Sequence, residues 1–110
     1  MVTFANEVDE DAKYYYVGAV ESDLLVIEKS TGNVMVVDMA ATEHVLWHCA
    51  ESGEQFLDAL SICCTFLTNR LFDSSLDEPS LINAAVKKCT VASGGNSFMD
   101  FYKMILGSEE

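Results

Sequence analysis

Two histidines and a cysteine are the first residues to weigh for chemistry. His44 and His48 stand four apart, with Cys49 beside the second. That spacing puts both imidazoles on one face of either a helix or a strand. A metal centre asks for three or four convergent ligands held by further hydrogen bonds, and the chain has no third histidine. A cysteine nucleophile needs its base within hydrogen-bond reach, yet adjacent residues on a strand point to opposite faces. The trio therefore reads as structural, at the end of a strand.

Carboxylates are too abundant for a pair of them to mean much. Glu51, Glu54 and Asp58 gather where a helix should begin, and negative charge is stabilised there by the helix dipole without any acid–base role. Gly94-Gly95 belongs to neither a Walker loop nor a G-x-G-x-x-G turn. Cys49, Cys63, Cys64 and Cys89 form no C-x-x-C pair and no regular disulfide framework. Cys63 and Cys64 fall inside a helical pattern, where small buried hydrophobes are common. The expectation is a non-enzyme with no cofactor and no metal.

The charge balance points to the kind of partner. Eighteen Asp and Glu face six Lys and Arg, a formal net charge of −12. A phosphate backbone or an anionic lipid surface needs a basic patch, which this chain cannot assemble. A basic protein would be drawn in by long-range attraction, with the larger effect on association rate. The plainer account is that the acid keeps an apolar domain dissolved. Residues 1–11 show neither a basic n-region nor an apolar h-region, and no apolar run approaches the roughly 20 residues of a membrane span. A cytoplasmic location with reduced thiols is expected.

The elements that carry these residues can be read from periodicity. Half of the 110 residues are hydrophobic, enough for one core in one domain spanning 1–110. Residues 1–12 read as a loose acidic lead-in, with Phe4 and Val8 spaced for one helical turn. Four strand-like runs follow over 14–50: Tyr14–Val20 with Gly18 as a bulge, Leu24–Lys29, Val34–Met39 and Val45–Ala50. Ser30-Thr31-Gly32-Asn33 suits a tight turn. Connections this short demand antiparallel neighbours, hence a four-stranded meander. The near-continuous apolar runs LLVIE and VMVVD predict central strands covered on both faces, or on one face with a partner over the other.

The period then changes to that of a helix, and residues 52–106 form the helical part. Ser52 and Gln55 have the spacing of a capping box, ahead of Phe56, Leu60, Cys63, Leu67 and Leu71. Leu57 and Cys64 widen the stripe of a main amphipathic helix expected to lie across the sheet. Asp73–Ser80 is a polar break with Pro79 suited to a first helical turn. One or two C-terminal helices follow, over Ser80–Cys89 and from a Ser97 cap through Leu106. The fold class is α+β.

The stretch LLVIEKSTGNVMVVDM followed by VLWHCAESGEQFLDAL resembles the SUKH superfamily. The matching positions are Thr31, Gly32, Val34, Val36 and Asp38, then Ser52, Phe56, Leu57 and Leu60. The similarity spans about half the chain. Many bacterial SUKH proteins are immunity proteins that bind and neutralise a toxin, often a nuclease or a nucleic-acid deaminase. The resemblance thus implies a toxin-neutralising, protein-binding module whose target is basic. The alternative is a small acidic adaptor or secretion chaperone acting as a homodimer, which would hold extended client segments in an apolar groove.

Candidate partner-binding residues follow from residue type and place. Tyr14 and Tyr16 stand in a run of three tyrosines of which alternation exposes at least one ring, and tyrosine is enriched at binding hot spots. Packing at a sheet edge is the other role open to them. Trp47 reads as core. Glu21, Asp23, Asp38 and Glu43 fall at or near strand ends, where loops collect and where acids would steer a basic target.

Overall fold

Turns of only a few residues between apolar runs oblige each strand to double back on the one before. The computed structural model describes residues 2–108. It shows β1 (Val2–Glu10), β2 (Tyr14–Val20), β3 (Asp23–Glu28), β4 (Val34–Val37) and β5 (Val45–Ala50), then α1 (Gly53–Phe72), α2 (Pro79–Ser93) and α3 (Met99–Leu106). The strands form one antiparallel meander in sequence order, β1-β2-β3-β4-β5. The α+β class stands, with five strands instead of the expected four.

The added strand is a correction to the acidic lead-in over residues 1–12, of which Met1 lies outside the described residues. Phe4 and Val8 do not stack as a helical turn; both lie on β1 and are more than half exposed. Val2 pairs with Val20 and Phe4 with Gly18; after an irregular stretch, Asp9 pairs with Tyr16. An edge strand needs only its backbone to pair, so its side chains can stay polar and show no alternation. Gly18 is what admits β1. A Cβ at that position would overlap the Thr3 carbonyl oxygen, and the β2–β3 register slips beside it, between Tyr16 and Gly18.

Asp11 shapes the β1–β2 turn. Its Oδ1 accepts the amides of Lys13 and Tyr14 at 2.8 Å each, and its own amide donates to the Tyr14 carbonyl at 3.0 Å. This is an aspartate folding its own backbone, a device the lead-in reading passes over.

The sheet carries apolar clusters on both faces. Leu25, Val34, Val36, Cys49 and Ala50 join Phe56, Ala59, Cys63, Cys89, Phe101 and Tyr102 in the main core beneath the helices. Tyr14, Val26, Met35 and Val37 form a second, smaller cluster, flanked by Tyr16 and Leu24. All four residues of β4 are consequently buried, which accounts for the unbroken apolar run VMVV.

Ser52 caps α1 as expected, its Oγ accepting the Gln55 amide at 3.2 Å. The return half differs from a full capping box: the Ser52 hydroxyl also donates to Gln55 Oε1 at 2.8 Å. The apolar stripe is narrower than the spacing predicts. Phe56, Ala59 and Cys63 are buried, whereas Leu57, Cys64 and Leu71 are exposed, Leu71 at 82%. The reason is placement, because α1 packs chiefly on α2 while α3 is the helix most closely applied to β5. The far end of α1 thus runs past the sheet instead of lying across it.

Pro79 opens α2 as its first-turn residue, and the helix continues four residues beyond Cys89 to Ser93, where Gly94 at φ 123° ends it. Ser97 is not the cap of the last helix. It lies within a single 3₁₀ turn, Asn96–Phe98, and α3 starts at Met99 with no side-chain cap.

Candidate functional site

The meander decides which strand ends share a side of the molecule. Val20 pairs with Asp23 across the β2–β3 turn, Leu24 pairs with Val37, and Val37 pairs with Val45. The β2–β3 turn and the β4–β5 connection therefore lie at the same end of the sheet. Glu21, Asp38 and Glu43 fall in these two segments and Asp23 opens β3 beside the first, so the topology collects four acids that are up to 22 residues apart in sequence. Neither segment contains a lysine or an arginine.

The β4–β5 connection is well tied. The Asp38 amide donates to the His44 carbonyl at 3.0 Å and the His44 amide to the Ala41 carbonyl at 2.9 Å. Asp38 Oδ1 in turn accepts the Ala40 amide at 2.8 Å. One carboxylate oxygen of Asp38 is thus engaged in shaping its own loop. Glu21 and Glu43 are exposed, and Asp23 and Asp38 half-buried. Glu21 holds a positive φ of 54°, the left-handed conformation that a two-residue hairpin turn requires.

The opposite end of the sheet is different in kind. Lys29 Nζ lies 3.3 Å from Glu10 and 4.8 Å from the centre of the Tyr15 ring. Lys13 sits 5.2 Å from the Tyr14 ring. Acid and base are mixed there, whereas the two segments at the first end carry acid and no lysine or arginine of their own.

The tyrosines divide. Tyr14 is only 2% exposed, its ring meets Tyr16 edge-on at 6.1 Å, and its hydroxyl reaches toward the Thr42 carbonyl at 3.5 Å. As a contact residue Tyr14 is a correction, because the second apolar cluster occupies its ring. Tyr16 is half-buried, and its hydroxyl donates to Asp11 Oδ2. That bond lowers the Asp11 carboxyl from its ordinary value and pushes the Tyr16 phenol up to about 12. Tyr15, on the other face, is the ring left exposed.

His44 and His48 are exposed. The Cys49 thiol is buried in the main core and pushed well above the ordinary thiol range by that burial. Histidine and thiol are thus parted by the sheet. Among the described residues, no group of three or more His, Cys, Asp or Glu converges to hold a metal ion.

One feature escaped the sequence reading. On the helical face, Phe4, Val17, Ile27 and Val34 from the sheet and Gly53, Phe56 and Leu57 from α1 line a groove of about 250 Å³. Leu57 is 58% exposed and Phe4 54%. The groove exists because α1 leaves the sheet uncovered toward β1, and no periodicity signals that. Among the described residues, no helix is long and apolar enough to cross a membrane. Comparison with protein-family models, curated proteins and solved structures finds no match to this chain.

Proposed function

We propose that this chain is a non-enzymatic protein-binding module of SUKH type, an immunity protein that neutralises a basic toxin domain in the cytoplasm. The observation that carries the reading is the acidic sheet end. A meander brings Glu21, Asp23, Asp38 and Glu43 together at two connections free of lysine and arginine, on a chain of net charge −12. Toxins that process nucleic acid present basic surfaces to phosphate. An acidic end competes for such a surface and speeds encounter with it. The SUKH-like run from Leu24 to Leu60 supplies the class of target, a nuclease or a nucleic-acid deaminase.

The experiment is co-purification of the tagged chain with the product of the adjacent gene, followed by a nuclease or deaminase assay. A tight complex with lost toxin activity is expected. A chain that leaves such an activity untouched at stoichiometric excess overturns the reading.

A second reading, an adaptor or secretion chaperone acting as a homodimer, draws on the apolar groove between Phe4 and Leu57. It predicts a dimer in solution and binding of extended apolar peptides instead of a folded domain. Sedimentation and peptide titration separate the two.

A further inference from the structure

Three of the four cysteines are buried, and two of those meet. Cys63 on α1 and Cys89 on α2 are 2% and 0% exposed, and their Sγ atoms are 3.1 Å apart where the two helices pack. A disulfide holds its sulfurs about 2 Å apart, so about 1 Å of approach separates this pair from a bond. The remaining cysteines set the contrast. Cys49 Sγ lies 4.0 Å from the Trp47 carbonyl and is buried beneath β5. Cys64 is exposed, one residue from Cys63 in sequence and on another side of the helix.

The two facing thiols share one hydrogen bond that either sulfur can donate, and burial disfavours the charged form of both. Cys89 also lies 3.6 Å from the Ala59 carbonyl oxygen, an acceptor for its proton while it is reduced.

We propose that Cys63 and Cys89 form an oxidisable dithiol, a modification site for small uncharged peroxides that ties α1 to α2 through a disulfide. Their burial selects the oxidant. A bulky charged disulfide does not reach sulfurs at this depth, whereas hydrogen peroxide enters on slight opening of the helix pair. The order of the two sulfurs is interchangeable; with Cys89 first, its thiolate attacks one peroxide oxygen, the O–O bond breaks, and the departing hydroxide takes up a proton as water. Cys89 is then a sulfenic acid. Cys63 Sγ attacks that sulfur, the S–S bond forms and the S–O bond breaks. The released hydroxide takes the Cys63 proton as a second water. Two thiols lose two electrons in all, and one peroxide becomes two waters.

The test uses the full chain, reduced and then treated with hydrogen peroxide. Intact mass should fall by about 2 Da, as loss of two thiol hydrogens requires. Peptide mapping should join Cys63 to Cys89 while Cys64 still takes an alkylating label. The thermal midpoint should rise by roughly 10 °C and return on reduction, because a bond spanning 26 residues restricts the unfolded chain. Cys64→Ser should behave as the unaltered chain, and Cys63→Ala or Cys89→Ala should lose both mass change and shift. Oxygen added to either sulfur without a cross-link overturns the proposal. So does a Cys64-linked dimer with the inner pair still reduced, or no reaction at the pair. The map of the unaltered chain decides even if the alanine variants fail to fold.

Discussion

The Tyr102 hydroxyl donates to the Cys49 carbonyl oxygen at 2.6 Å, and both residues are fully buried. Cys49 is one of two residues the β4–β5 ladder skips, the other being Leu46, since Val34 pairs with Ala50 and Met35 with His48, and Val36 with Trp47 and Val37 with Val45. A bulged residue loses its regular partner, and α3 supplies a replacement from 53 positions further along the chain. The phenol is pushed up chiefly by burial, as a group held neutral in the core should be. Tyr102→Phe leaves that carbonyl unpaired, and a loss of about 1–3 kcal/mol is expected. Urea unfolding should show a lower midpoint with an unchanged slope.

Gly18 supports a second prediction, about one strand and not the whole fold. Because a Cβ at Gly18 overlaps the Thr3 backbone, Gly18→Ala must push β1 away from β2. A loss of about 1–3 kcal/mol is expected, the range for forcing extra volume into a packed site. Amide hydrogen exchange should speed up at Val2–Phe4 and stay slow in β4. Equal loss of protection throughout the sheet would contradict a role limited to admitting β1.

The turn between β1 and β2 should loosen at both extremes of pH. Asp11 is lowered first by the Tyr16 hydroxyl and then by the Tyr14 and Lys13 amides. Its contribution is therefore present above the ordinary aspartate value of about 3.9 and lost as pH falls through the depressed folded value. Tyr16 is raised to about 12, so its contribution is whole below about 10 and lost as pH climbs toward 12. Asp11→Asn removes the charge and should return the Tyr16 phenol toward 10. Absorbance titration of tyrosinate reads this directly.

Charge reversal at the acidic sheet end tests recognition apart from folding. Asp23→Lys with Glu43→Lys should cut the association rate for a basic target roughly tenfold at low salt and flatten its salt dependence. Asp38 is the poorer choice, since its carboxylate holds the Ala40 amide and its loss would disturb the loop as well. Unchanged association kinetics would remove this end as the docking surface.

Much of the sheet is legible from turn chemistry. Thr31, Gly32 and Asn33 place the β3–β4 turn, with Gly32 at φ 79°, and short connections then leave a meander as the economical path. That path alone puts Glu21, Asp23, Asp38 and Glu43 on one side. β1 escapes because an exposed edge strand has no buried face to impose a period of two. The burial of Tyr14 escapes for a related reason. Three consecutive tyrosines show that a face alternates, but which face is covered depends on Met35 and Val37, two strands away. Leu57, Cys64 and Leu71 have helical spacing yet lie exposed, because periodicity reports a stripe and not the length of its neighbour.

The two ends of the sheet carry different charged side chains. Glu21, Asp23, Asp38 and Glu43 stand by the β2–β3 and β4–β5 turns, and Lys13 and Lys29 stand beside Tyr14 and Tyr15. Long-range attraction of the kind proposed would turn the acidic pole toward a cationic body before any atoms touch. Capture by that pole would leave both sheet edges and the Phe4–Leu57 groove facing water, with room for a second macromolecule on a chain already engaged.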